Sequence, residues 1–158
     1  MRMFLVLLTF SVNSYANDAL HLDLINGSWN CSEIFIEEEV TVKLSTKYTY
    51  NSADLTYTYN TNAEMLYQNK IPVGSFNVIE KGNFSYNASK MVYVLNKIES
   101  HVLEDPMEAI TDELIKGMES DLKNDKTAYQ TTFINKLEWE TLDPTDNSKS
   151  VCTRDMSI

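Results

Sequence analysis

Cysteine, histidine, glycine and basic side chains are all scarce in this chain, and each shortage closes off a class of function. Its 158 residues hold two cysteines, two histidines and four glycines. The histidines, His21 and His101, have no Ser or Cys partner in the context of a nucleophile elbow. No ligand spacing for a metal and no phosphate-binding glycine loop is present. Thirteen Lys and Arg stand against 23 Asp and Glu, a formal net charge of −10. That balance argues against nucleic acid and against anionic membrane surfaces, which both select basic residues. It suits solubility, or a basic protein partner. After the first residues there is no second long apolar run, so no transmembrane segment is expected.

What is present begins with a leader. Arg2 precedes an apolar run from Met3 to Phe10, and Ser14-Tyr15-Ala16 places small residues where signal peptidase needs them. The sequence therefore predicts a signal peptide over 1–16, cleavage before Asn17, and a single domain over 17–158. Losing Arg2 takes the net charge to −11. An exported chain with its only two cysteines at opposite ends, Cys31 and Cys152, predicts a disulfide. Asn-x-Ser triplets occur at Asn26, Asn30, Asn83 and Asn87; in a bacterial periplasm, the compartment the brief leader suggests, they are products of composition rather than glycan sites.

The body of the chain reads as strands. Val40, Val42 and Leu44 alternate with polar residues, as do Leu55, Tyr57 and Tyr59, the period of a half-buried strand. Ser28 to Ile36 is the first strand, and Glu37-Glu38-Glu39 a solvated turn. Asn17 to Asn26 suits a short helical plug. Ser75 to Glu80 and Phe84 to Tyr86 flank Lys81-Gly82-Asn83, which reads as a hairpin turn. Met91 to Leu95, apolar on both faces, continues towards Leu103 and stops at Pro106. The period then changes: Met107, Ile110, Leu114, Met118 and Leu122 recur at helical spacing, predicting an amphipathic helix over 106–124 capped by Asp105. Strand character returns from Thr127 to Leu142. Asp143 to Asn147 is a turn, and Lys149 to Arg154 the last strand. Asp143, Asp146 and Asn147 crowd that turn without the terminal bidentate Glu of a calcium loop, so no metal is expected.

Register ties the two ends together. Residues facing one another across antiparallel strands have positions of constant sum. Cys31 with Cys152 and Trp29 with Arg154 share the sum 183. One register therefore sets the cysteines opposite each other and the arginine over the tryptophan ring, makes the first and last strands neighbours, and closes the sheet.

Gly27-Ser28-Trp29 opening the first strand, with Arg154 on the last, resembles the lipocalin and wider calycin barrels, in particular small exported bacterial lipocalin-like proteins. The resemblance covers these two end motifs and a strand-rich middle. It implies a single antiparallel up-and-down β-barrel in which Trp29 closes the floor and Arg154 covers its ring and hydrogen-bonds the N-terminal segment. One departure stands out: typical lipocalins carry their long helix after the last barrel strand, whereas here it lies between strands. That leaves open fewer strands than eight, or a helix covering a seam.

Inward positions of a small barrel either enclose one small ligand or fill the lumen. The candidates are Val42, Leu44, Tyr57, Tyr59, Phe76, Tyr93, Phe133 and Trp139, and the sequence leaves both outcomes open. With no catalytic set and no cofactor motif, the expectation is a monomeric non-enzymatic protein binding a small hydrophobic or amphipathic molecule. The alternative is an acidic inhibitor or immunity-type protein that neutralises a basic partner.

Overall fold

The computed structural model describes residues 12–125, 127–145 and 147–157. The leader's residues 1–11 lie outside these, as does Asp146. Eight antiparallel strands follow one another around a closed barrel, β1 (Gly27–Glu37), β2 (Val40–Asn51), β3 (Thr56–Tyr67), β4 (Ile71–Asn87), β5 (Lys90–Glu104), β6 (Ala128–Asn135), β7 (Glu138–Leu142) and β8 (Lys149–Arg154). Helix α1 (Val12–Ile25) precedes them, and α2 (Asp112–Asn124) lies between β5 and β6.

Closure follows the register expected from position sums. Trp29 pairs with Arg154 and Cys31 with Cys152, and the cysteines are joined across β1 and β8. Trp29 is fully buried, and its indole Nε1–H donates to Ile25 O at 2.7 Å. The Arg154 guanidinium carbon lies 4.3 Å from the Trp29 ring centroid. Its N–H groups donate to the carbonyls of Asn26 (3.0 Å), Lys136 (3.2 Å) and Leu24. One side chain thus ties α1, the β6–β7 turn and β1 to the last strand, satisfying carbonyls left unpaired at the end of α1. Gly27 precedes the clasp at φ +107°, and a Cβ there would come within 3.2 Å of Arg154 Nη1.

The end sealed by α1 is filled. Trp29, Trp139, Ile25, Met91 and Cys152 are completely buried, and Tyr50, Phe84 and Tyr86 pack with them. His21 of α1 meets Tyr86 through Nδ1 at 2.6 Å and lies with its ring 4.9 Å from that of Phe133. Asp18 accepts the amide of Ala88 in the β4–β5 turn, where Ala88 and Ser89 both have positive φ.

Two local expectations are corrected. Lys81-Gly82-Asn83 is not a turn: β4 runs on to Asn87, with an irregularity in its pairing with β5 between Lys81 and Gly82. The glycine is needed for close approach, since a Cβ there would stand 2.1 Å from Val94 O and 2.8 Å from the Tyr57 ring. The helix begins at Asp112 rather than 106, capped by Thr111, whose hydroxyl accepts the Leu114 amide. Asp105 spends its carboxylate on the amides of Ala109 and Ile110, and Glu108 sits at positive φ, which breaks helical continuity there. Ile110 is tucked against Gly74, where a Cβ would clash at 2.7 Å.

Among the described residues β5 pairs with β6 at only three positions, Lys90–Gln130, Met91–Tyr129 and Val92–Ala128. Above them the chain detours through α2, which packs on β5. Of the two outcomes left open by the displaced helix, the structure takes eight strands with a helix over a short seam.

Removing the bridge as the Cys31→Ser/Cys152→Ser pair, which leaves no odd thiol, is expected to lower stability by about 2–5 kcal/mol, because the cysteines lie 121 residues apart. Urea denaturation reads this directly; an unchanged midpoint and slope contradict it. Arg154→Ala removes ring contact and three carbonyl partners together and should cost about 2–4 kcal/mol. Arg154→Lys, which keeps charge but not the fork, should recover less than half of that.

Candidate functional site

The half of the barrel away from α1 holds a cavity of about 400 Å³. Its wall follows from the ladder. In one row Trp29 faces Tyr48, Tyr48 faces Tyr59, and Tyr59 faces Glu80. Two residues further along each strand, Cys31, Thr46, Thr61 and Val78 form the next row. The row beyond runs Glu33, Leu44, Ala63 and Phe76. Because side chains alternate, every second residue of these strands enters the lumen. The mouth is bordered by Met118 and Leu122 of α2, Asp125 after it, and Asp143 and Ser148 of the β7–β8 turn.

Six of the eight inward residues expected from sequence line this cavity: Leu44, Tyr57, Tyr59, Phe76, Tyr93 and Trp139. Val42 and Phe133 do not. Val42 is half-buried near the β1–β2 turn, where the longer Phe35 ring opposite it reaches the lumen instead. Phe133 lies in the floor, stacked on Trp139 with centroids 6.1 Å apart and against His21. The choice between pocket and filled lumen resolves by level, with the α1 end packed solid and the other end hollow.

Sequence reasoning passed over Tyr48, Tyr50, Tyr129 and the wall carboxylates Glu33, Glu80 and Asp125, and weighed Asp143 only as a turn residue and calcium ligand. Parity was the available signal. Tyr48 and Tyr50 continue the Val42–Leu44 alternation through a polar stretch, and Glu80 has the same parity as Phe76 and Val78.

The tyrosines form a connected cluster. Tyr50 OH stands 3.0 Å from Tyr59 OH and 2.9 Å from Tyr93 OH, and Tyr93 OH donates to Met91 Sδ at 2.6 Å. Tyr129 OH donates to Asp125 Oδ2 at 2.8 Å. Burial pushes the phenols of Tyr48, Tyr50 and Tyr59 well above their ordinary value and that of Tyr93 up to about 12, so all four stay neutral at physiological pH. Burial, then the nearby charge of Asp125, raises the Glu80 carboxyl to about 7. On the β6–β8 wall, Thr131, Thr141 and Ser150 form one cross-strand row. Thr131 Oγ1, Ser150 Oγ and the indole Nε1 of fully buried Trp139 are buried without a hydrogen-bond partner among the described residues.

The Asp143 carboxylate is occupied with its own turn, accepting from the amide and hydroxyl of Thr145 at 2.7 and 2.6 Å. Among the described residues no group of three His, Cys, Asp or Glu is placed to hold a metal ion.

Compared with known proteins, the sequence matches no family model and no curated protein. The structure stands as an eight-stranded up-and-down barrel with a disulfide-closed seam, and its cavity has to be read from its own residues.

Glu80 makes stability depend on pH with a definite sign. The folded carboxyl keeps its proton up to about 7, whereas in the unfolded chain it loses it near the ordinary carboxylate value. The folded state then binds more protons, so this contribution is complete at acid pH and is lost as pH rises through about 7. The full effect is on the order of 3 kcal/mol. Asp155, held below the ordinary range chiefly by its hydrogen bond with Lys47, acts only at more acid pH. Thermal melts at pH 5, 6.5 and 8 should show the wild type losing stability over this range, and Glu80→Gln flattening the loss and melting higher at pH 8. A Glu80→Gln variant less stable than wild type at pH 8 contradicts the assignment.

Proposed function

We propose that this chain is a non-enzymatic exported binding protein of lipocalin-like type, made with a cleaved signal peptide and working in the bacterial periplasm, that holds a small hydrophobic or amphipathic molecule in its barrel cavity. The cavity carries this reading. Its volume of about 400 Å³ falls in the range of small-molecule sites, and its walls combine aromatic surface with a few placed polar groups. The division of the barrel supports it too. Closure, disulfide, α1 and the packed aromatic floor all lie towards one end, which frees the other end from structural duty. A disulfide between the only cysteines suits an oxidising compartment. Among the described residues no helix is long and apolar enough to cross a membrane.

Titration with N-phenyl-1-naphthylamine, an uncharged probe that fluoresces in apolar surroundings, tests the reading. Saturable enhancement at one probe per chain is expected. Ala63, buried between Leu44 and Phe76 on the wall, offers the control: Ala63→Phe places a ring in the lumen and should weaken the probe by at least about tenfold. Native mass spectrometry of protein recovered from periplasm should show a bound small molecule. No probe response together with no bound species would sink the proposal.

A further inference from the structure

The barrel wall changes character between β5 and β6. Above Val92 no strand among the described residues pairs with β5 on that side, and the chain runs instead through α2, which packs on β5. Met118 and Leu122, one helical turn apart, line the cavity. The helix begins and ends well: Thr111 caps it, Asp112 and Glu113 lie in its first turn and Lys123 in its last. Its packing is shallow by comparison. None of its 13 residues is buried. Of its apolar stripe, Ile115, Met118 and Leu122 are half-buried and Leu114 is 48% exposed. An isolated helix shorter than about 12–15 residues is marginal in water, and helices in proteins draw most of their stability from a buried face. α2 is of that length and lacks such a face.

Gly117 lowers its stability further. In the middle of a helix, glycine is less favourable than alanine by an amount worth about four- to fivefold in the helix's equilibrium. Close packing often explains such a glycine, as it explains Gly74 and Gly82 in the strands. At Gly117 a Cβ would meet nothing within 4 Å among the described residues. No close approach there calls for glycine, and its effect is to soften the helix.

The segments on either side are held firmly. Ile110 is buried against Gly74, and its amide and that of Ala109 donate to Asp105. Past the helix, the Asp125 carboxylate accepts from the Thr127 amide and the Tyr129 hydroxyl, both at 2.8 Å, and Tyr129 pairs with Met91 in the barrel. A soft helix between two fixed ends can lose its internal hydrogen bonds while the ends stay in place. Local openings concentrate in segments with few buried apolar contacts, and this one needs no strand ladder to part.

We propose that α2 is the gate of the cavity: it melts locally between Ile110 and Asp125 to admit or release a ligand, and closes by refolding with Met118 and Leu122 over the mouth, Gly117 setting how often it opens. This rests on the binding reading above and assigns the route by which the same cavity is reached.

Gly117→Ala is the central variant, because the added methyl enters open space and acts on the helix alone. Hydrogen exchange of the free protein, read by mass spectrometry, should find α2 amides at least about a hundredfold less protected than those of β2 to β4. Gly117→Ala should raise α2 protection about four- to fivefold. In stopped-flow mixing with N-phenyl-1-naphthylamine, the same variant should slow entry and release alike by that factor and leave Kd unchanged, because the closed helix gains equally with and without probe. Lys116→Gly, at an exposed position beside it, should speed both rates by about threefold. A residue acting by contact with the probe would change release and Kd together instead. α2 amides as protected as the strands overturn the proposal. Probe binding with the same rates in all three proteins also overturns it, and leaves the binding reading standing. Failure of the wild type and both variants to bind the probe defeats the binding reading and the gate with it.

Discussion

Everything in this barrel depends on how its first and last strands meet. An up-and-down sheet of eight strands is held along seven of its seams by sequential neighbours, and only the eighth seam must join opposite ends of the chain. Loop-closure entropy opposes that contact more than any other. The chain answers it with four interactions in one place: the disulfide, the β1–β8 ladder, the guanidinium over the indole, and the bonds from Arg154 to carbonyls at the end of α1. They enforce one another. A slip of one residue would turn Trp29 outward and separate the cysteines, so register, floor and bridge stand or fall together. Because Trp29, Tyr48, Tyr59 and Glu80 lie in one cross-strand row, the same closure sets the level of the cavity wall.

This closure was legible in the sequence because it rests on rare residues. Two cysteines, a tryptophan and an arginine with matching position sums leave little room for another register. Strand alternation around Val40–Leu44 and Leu55–Tyr59 was legible for the ordinary reason that one face is apolar. Misreadings arose where a residue type has two uses. Gly82 between strand-like segments has the appearance of a turn, yet it serves to admit the Tyr57 ring beneath the Val94 carbonyl, a tertiary demand with no local signature. Asp105-Pro106 is a good helix start, but Asp105 closes a loop that seats Ile110 on Gly74, and the helix waits for Thr111. Most of the aromatic wall could be listed in advance. Its carboxylates could not, because an apolar pattern treats an acid at an inward position as a break rather than as a member.

Those carboxylates set the lumen apart from a core built for stability. The floor follows the rules of such a core: Trp29, Met91 and Ile25 are fully buried, and the Trp29 N–H has its carbonyl. A few ångströms further along the same strands, Glu80 is held at a value that costs folding free energy at neutral pH, and Trp139 buries an N–H without a partner among the described residues. An apolar side chain of matching volume at Glu80 would remove the first of these costs. Sequence choices that run against local stability while the surrounding structure obeys it are what the proposed binding function would require of this lumen. The disulfide and the Arg154 clasp supply stability at one end of the barrel, and the other end can therefore carry groups that lower it.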